Sequence, residues 1–115
     1  MIAGRLTHRA RVERNVAVGE DAWGGEPAPD YELLHDALPC FAWSSSSREL
    51  VDGSKTANIE DLRAMFALGA DIREGDEIVA ISDRAGNAIV AGRLTVEGPV
   101  QHKHNHLEAA LQRIG

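Results

Sequence analysis

Three histidines within one pentapeptide are the residues of this chain with the clearest potential for chemistry. His102, His104 and His106 stand at every second position, so on a strand all three imidazoles would share one face. Three imidazoles with an open fourth position would suit a zinc ion. However, same-face residues of a flat strand lie roughly 6.5 to 7 Å apart, near the limit for ligands that share one ion. We therefore expect a solvated polar segment here, and no metal site.

Nucleophilic catalysis has weaker support in the sequence. The serine run 44–47 lacks a Gly-x-Ser-x-Gly elbow, and Cys40 lies in an apolar run without an activating neighbour. Gly24-Gly25 is a turn signal, and no helix start follows it that could hold a phosphate. There is no Walker loop, Rossmann fingerprint or paired-carboxylate motif. The sequence therefore predicts a protein that is not an enzyme and that uses no cofactor.

Length and composition predict one globular domain over residues 1–115. No apolar run approaches the roughly 18 residues of a membrane-spanning helix. The first 14 residues have no apolar block, so we expect neither a membrane span nor a secretory signal. Cys40 is the single cysteine, which excludes an internal disulfide and fits a reducing cytoplasm.

The charge is unevenly distributed along the chain. The net charge of -6 argues against a general nucleic-acid binder, since such proteins place Lys and Arg on phosphates. Residues 1–14 contain four arginines, whereas residues 15–37 contain six carboxylates and no Lys or Arg. We expect this basic start and this acidic stretch to make contacts between unlike surfaces.

The hydrophobic pattern has period two over most of its length. Residues 5–14 alternate, with Leu6, His8, Ala10 and Val12 on one face, as in a half-buried strand. Similar signals predict strands over 38–43, 62–68, 78–82 and 88–96, and Gly98-Pro99 predicts a break. Two stretches rich in Gly, Pro, Ser and Asp, 15–37 and 44–58, are predicted as long loops.

The last segment, 106–114, fits two templates. Asn105 and Glu108 could form a helix capping box, while Leu107, Ala109 and Leu111 could line a strand face. Together these elements predict an all-β fold, a small antiparallel β-barrel of about five to six strands with two long loops.

The order of the short motifs resembles that of the phage head-tail joining proteins, the head-closure or stopper subunits of long-tailed bacteriophages. The motifs, in chain order, are Ala3-Gly4-Arg5-Leu6-Thr7-His8-Arg9, Asp21-Ala22-Trp23-Gly24-Gly25, Phe41-Ala42-Trp43, Ser46-Ser47-Arg48-Glu49-Leu50, the strand 61–68, Ile72-Arg73-Glu74-Gly75-Asp76-Glu77-Ile78 and His106-Leu107-Glu108. One departure is the set of small residues around Ala64, Ala67, Gly69 and Ala70, where the resemblance leads us to expect bulkier ones.

The resemblance implies a structural virion protein that forms a ring in the head-tail connector. Such a ring closes the DNA exit channel after packaging and provides a docking surface for the tail. Its partners would be other copies of itself, portal or adaptor proteins, tail terminator or tail tube proteins, and phage DNA in transient passage. It would act at the head-tail interface of the virion, after assembly in the host cytoplasm, and its final segment would be a strand. The alternative is a host cytoplasmic β-barrel module that binds a peptide or small ligand.

Two groups of residues become candidates for these roles. The proposed gate lies in the serine-containing second loop and comprises Ser45, Ser46, Ser47, Arg48, Glu49, Leu50 and Asp52. The proposed ring or partner interface combines the basic start with the acidic loop and comprises Arg5, Arg9, Arg11, Glu20, Asp21 and Trp23.

Overall fold

The computed structural model describes residues 2–19, 23–25, 27–51, 55–90 and 92–114, with the backbone alone at 2–3, 45–51 and 55–61. A short 3-10 helix, Ile2–Arg5, precedes the strands. The strands are β1 His8–Asn15, β2 Tyr31–Val51, β3 Lys55–Phe66, β4 Glu77–Asp83, β5 Ala88–Val90, β6 Leu94–His102 and β7 Leu107–Arg113. Within this described part, no helix has the length and apolar character to cross a bilayer.

Six of the strands close into an antiparallel barrel. The order is β1-β2-β3-β7-β6-β4, and β4 pairs back onto β1 to complete the circle. The short β5 is an additional strand that pairs with β4 alongside β6. Closure removes the unpaired edges that a sheet would otherwise expose. The prediction of an all-β antiparallel barrel is therefore confirmed.

The barrel interior follows the alternation in the sequence. In β1, Ala10 and Val12 are fully buried, and in β7 the buried residues are Leu107, Ala109 and Leu111. The strand alternative for this last segment is thus correct, because its apolar residues repeat every two positions and face the core. Burial raises the pKa of the Cys40 thiol to about 12, so the thiol stays protonated and unreactive at neutral pH.

A row of alanines inside the barrel accounts for Ala64, one of the small residues noted in the sequence. Ala42, Ala64 and Ala109 are register partners across β2, β3 and β7, and all three side chains face the core. Small side chains in one row leave space inside a narrow barrel for larger ones from other rows. Phe66 is the largest of the fully buried side chains, which indicates how that space is used.

The predicted second loop is wrong as secondary structure. Residues 44–51 lie in β2 and residues 55–58 lie in β3, in continuous antiparallel register from Ser44↔Leu62 to Val51↔Lys55. Local composition suggested a loop because Ser, Asp and Gly are poor strand formers. Pairing with the opposite arm overrides that preference.

The predicted first loop is correct in part. Its last residues, 31–37, belong to β2 and pair with β1, so the connection spans only residues 16–30. Asn15 holds the two ends of this connection together. Its side-chain oxygen accepts hydrogen bonds from the backbone N–H groups of Ala17 and Asp30, both at 3.0 Å.

Two predicted breaks are displaced. The single strand predicted over 88–96 is divided into β5 and β6, with Gly92 between them at a φ of +92°. Gly98-Pro99 interrupts the pairing without ending β6, because the register with β7 shifts between Glu97 and Gln101. This is a β-bulge, the position in a sheet where a positive φ and a missing N–H are tolerated.

A buried ion pair stabilises the seam where the barrel closes. Asp76 is 2% exposed and receives a bidentate pair of hydrogen bonds from Arg14 of β1, each at 2.8 Å. The same carboxylate accepts the backbone N–H of Arg73 at 2.8 Å. The hydrogen bond that Arg14 donates to Asp76 raises the pKa of Arg14. A second hydrogen bond, which Arg14 donates to Asp71, lowers the pKa of Asp71. Asp76, which belongs to the motif at 72–78, therefore has a structural role in this ion pair.

A second arginine neutralises two carboxylates at the same seam. Glu13 and Glu77 are register partners on β1 and β4, an arrangement that is repulsive without a counterion. Arg93 donates to both carboxylates, with a distance of 2.6 Å to Glu13, and its guanidinium lies 5.6 Å from the ring centre of Tyr31. Burial acts to raise the pKa of Glu77, but hydrogen bonds from Tyr31 and Arg93 outweigh it and lower that pKa.

We predict that Asp76→Ala destabilises the barrel by about 2 to 3 kcal/mol, because it leaves Arg14 and the Arg73 amide without their buried acceptor. The measurement is urea unfolding followed by circular dichroism. The matched control is Asp71→Ala, which removes the exposed partner of the same arginine and should barely move the midpoint. Equal shifts for the two variants would contradict the assignment.

Candidate functional site

Beyond the barrel, β2 and β3 continue as a two-stranded ribbon formed by residues 45–51 and 55–61. Its arms pair only with each other, from Ser45↔Asp61 to Val51↔Lys55. The pairing of β1 with β2 stops at Cys40, and the pairing of β7 with β3 begins at Leu62. Within the described residues, both outer edges of the ribbon therefore lack a neighbouring strand.

The ribbon extends the molecule well past the size of its barrel. Seven strand residues per arm span about 23 Å. The radius of gyration is 16.3 Å, whereas a compact domain of this length would have about 13 Å. The longest dimension is 50 Å and the shortest is 29 Å. A projecting element of this kind suits contact with something outside the barrel.

The residues predicted as the gate fall on this ribbon. The backbone of residues 45–50, which comprise Ser45, Ser46, Ser47, Arg48, Glu49 and Leu50, forms the β2 arm. Asp52 lies outside the described residues. The structure therefore brings the backbones of six of the seven candidates together on one projecting arm.

An aromatic stack marks the outer wall at the root of the ribbon. His8 stacks on Phe41 with ring centres 4.9 Å apart, and Phe41 lies 6.2 Å from Trp43. The backbone N–H of Ala42 donates to Nδ1 of His8 at 3.0 Å. Because β1 begins at His8, no backbone of β1 is available to accept the N–H of Ala42, which lies just past the last β1–β2 pair. The imidazole of His8 accepts that hydrogen bond instead. The root of the ribbon is thus fixed by a side chain after the neighbouring strand has ended.

A shallow apolar depression lies beside this stack. It has a volume of about 370 Å³ and is lined by Arg5, Thr7, Phe41 and Met65. Phe41 and Met65 are cross-strand partners on the outer face of β2 and β3. We call it the Phe41 depression. The strand pattern gave no sign of it, because each lining residue taken alone resembles an ordinary outward-facing position.

The described residues of the predicted interface differ in their surroundings. Arg5 is exposed in the 3-10 helix, while Arg9 donates to the carbonyl oxygens of Leu6 at 2.7 Å and His8 at 2.8 Å. Arg11 pairs with Asp36 of the same chain at 3.1 Å. Trp23 is exposed in the connection 16–30, and Glu20 and Asp21 lie outside the described residues. The predicted attraction between basic and acidic segments thus has an intramolecular component.

The three histidines do not share a strand face. β6 ends at His102, residues 103–106 form the turn, and β7 begins at Leu107. The turn is closed by the N–H of Lys103, which donates to the carbonyl of His106 at 2.9 Å. No group of three or more metal-ligating side chains occurs in the described part of the chain. The strand geometry that the zinc alternative requires is therefore not formed.

Comparisons with known proteins give one similar structure. Neither a protein-family model nor a curated protein matches this chain. A solved structure of the phage-like element PBSX protein xkdH from Bacillus subtilis aligns with a TM-score of 0.55 and 18% sequence identity. The alignment covers 92% of each chain. At this identity the likeness establishes a shared fold over nearly the full length.

We predict that replacing His102, His104 and His106 with Asn leaves the metal content and the fold unchanged, because the turn does not direct three imidazoles to one point. Elemental analysis of chelator-free protein, before and after the triple substitution, measures this. About one zinc per chain in the original protein, lost in the variant, would refute the prediction.

We predict that Arg9→Glu together with Arg11→Glu weakens assembly and lowers its sensitivity to salt, because we expect the basic segment that carries these arginines to meet an acidic surface of another subunit. Sedimentation velocity at several salt concentrations measures the effect. Adding Asp36→Arg to Arg11→Glu restores the intramolecular ion pair with reversed polarity. Full recovery of assembly in that double variant would show that Arg11 matters only within its own chain.

Proposed function

We propose that this chain is a structural virion protein that forms a ring in the head-tail connector of a bacteriophage. In this role it closes the DNA exit channel after packaging and offers a docking surface to the tail. The observation that carries the proposal is the ribbon of residues 45–51 and 55–61, which projects from a closed barrel and, among the described residues, has no partner strand on either edge. A barrel that only needed to be stable would gain little from such an extension, because an isolated two-stranded hairpin is marginal in water.

Ring geometry explains why a channel-closing element must project. A compact globule of 115 residues has a diameter of roughly 35 Å, and six equal spheres in a closed ring leave a hole of about one sphere's width. Duplex DNA would pass such a hole. The hole has a radius of about 17 Å, so an arm of about 23 Å directed inward from each subunit reaches the axis. The ribbon is therefore long enough to occlude the channel.

The charge of the ribbon tip suits a gate that must later release DNA. Arg48 and Lys55 balance Glu49 and Asp52 in the sequence, so the tip neither binds phosphates strongly nor repels them. The connection 16–30 is the rival gate and carries Glu20, Asp21, Glu26 and Asp30 without a basic residue. Copies of that connection at a ring axis would concentrate like charge, which is costly unless cations neutralise it. The net charge of -6 likewise suits a conduit that lets DNA pass.

The shared fold with xkdH supports the same role. That protein is from a phage-like element, and the likeness covers 92% of both chains. A connector ring would contact portal or adaptor proteins on one side and tail terminator or tail tube proteins on the other. The barrel supplies a rigid body for both contacts, while the ribbon acts in the channel.

We predict that shortening the ribbon lets packaged DNA escape from heads before tails attach. Ser45 and Asp61 are register partners, so residues 46–60 can be replaced by Asn-Gly, which favours the two-residue turn of a hairpin. The barrel ends one pair earlier, at Ser44↔Leu62, and should fold normally. DNA retained in tailless heads is measured by nuclease protection, and rings per head are counted by electron microscopy.

The matched control is the double variant Arg48→Glu with Glu49→Arg, which preserves the length and charge of the ribbon and should retain DNA. A second variant replaces residues 17–29 of the acidic connection by Asn-Gly. Only heads that carry the normal number of rings are scored, so that failed assembly is not counted as leakage. Normal retention with the shortened ribbon, and emptied heads with the shortened connection, would transfer the gate to the acidic connection. A chain that stays monomeric and never joins heads would instead indicate a lone binding module.

A further inference from the structure

Trp23 is not part of the hydrophobic core. Its side chain is 94% exposed, although an indole is among the largest apolar groups in a protein and dominates the energetics of interfaces where it is buried. It belongs to the connection 16–30, in which the sequence places Glu20 and Asp21 on one side and Glu26 on the other. The exposed indole is therefore surrounded by negative charge along the chain.

The Phe41 depression has the opposite character. Its lining combines the apolar side chains of Phe41 and Met65 with Thr7 and the exposed, cationic Arg5. An apolar lining that includes a cationic side chain is chemically complementary to an indole with acidic sequence neighbours. Sulfur and aromatic contacts from Met65 and Phe41 would favour an aromatic occupant.

The two features lie at opposite ends of β1. Arg5 and Thr7 precede the first residue of this strand, and the connection 16–30 follows its last residue. Eight strand residues separate them by about 26 Å. An interface that joins two different patches of identical subunits is heterologous, and it generates a ring when the rotation between subunits closes.

We propose that Trp23 of one copy docks in the Phe41 depression of a second copy. The proposal rests on the ring described under the proposed function, since it names a contact that joins neighbouring subunits. Each subunit donates one indole and accepts one, so every depression in a closed ring is filled.

Photo-crosslinking with isotope mixing tests the contact directly. Trp23 is replaced by p-benzoylphenylalanine, an aromatic residue of similar size, and this protein is mixed with unmodified chains labelled with ¹⁵N at the highest soluble concentration. After irradiation, we expect mixed-isotope cross-links to Arg5, Thr7, Phe41 or Met65. Cross-links only within a chain, between chains at other residues, or none at all would overturn the proposal.

Two variants sharpen the test. Met65→Lys places a positive charge in the depression. The carboxylate of the cross-strand neighbour Glu108 can form an ion pair with this lysine, so the barrel should remain folded. This variant should lose most of the mixed-isotope cross-link, and its retention would also overturn the proposal. The matched control is Leu68→Lys, which changes another exposed apolar residue and should leave the cross-link intact.

The contact and the gate can fail independently. A chain with residues 46–60 replaced by Asn-Gly should still give the cross-link, because neither Trp23 nor the depression lies on the ribbon. Loss of DNA retention with the cross-link preserved therefore concerns the gate alone. Normal DNA retention in heads that show no cross-link would be compatible with the proposed ring but would refute the docking of Trp23.

Discussion

Closure of the barrel between β1 and β4 is the constraint on which the rest of the structure depends. The two strands come from distant parts of the sequence, and their pairing brings Glu13 opposite Glu77. Arg93 compensates that repulsion, and Arg14 adds a bidentate bond to the buried Asp76. Truncating one partner of such a buried pair leaves an uncompensated charge. The charges at this seam thus favour one register over its alternatives, which fixes where β2 and β3 leave the barrel.

The ribbon depends on that fixed exit. Two strands paired only with each other gain too little to be stable alone, so the ordered root must supply the alignment. His8 contributes by accepting the Ala42 amide and by stacking on Phe41. The opposite end of β1 leads to the connection 16–30, which Asn15 closes at its neck. One strand therefore positions two projections of different chemistry, one neutral at its tip and one acidic.

Much of the barrel could be predicted from local pattern, since period-two alternation directly encodes which face is buried. β1 was predicted on this basis, with Ala10 and Val12 inside. For β7 the pattern left a helix and a strand equally open, and only the pairing with β3 and β6 decided for the strand. The ribbon could not be predicted, because serines and charges give no signal for a strand whose pairing partner lies several residues away. Gly98-Pro99 misled for a related reason, as a bulge and a strand end have the same local composition. The sequence singled out the residues of the proposed gate as one segment, but it did not predict their extended pairing.

The sequence by itself determined the all-β class, the alternating core, the inert buried Cys40 and the separation of basic from acidic segments, because each follows from residues close together in the chain. Only the tertiary structure decided that Arg11 meets Asp36, that the histidines lie in a turn, and that Arg5, Phe41 and Met65 share one depression. These juxtapositions arise from strand order and register. Neither is encoded by any single segment, since a strand specifies which face it buries but not which neighbour it pairs with.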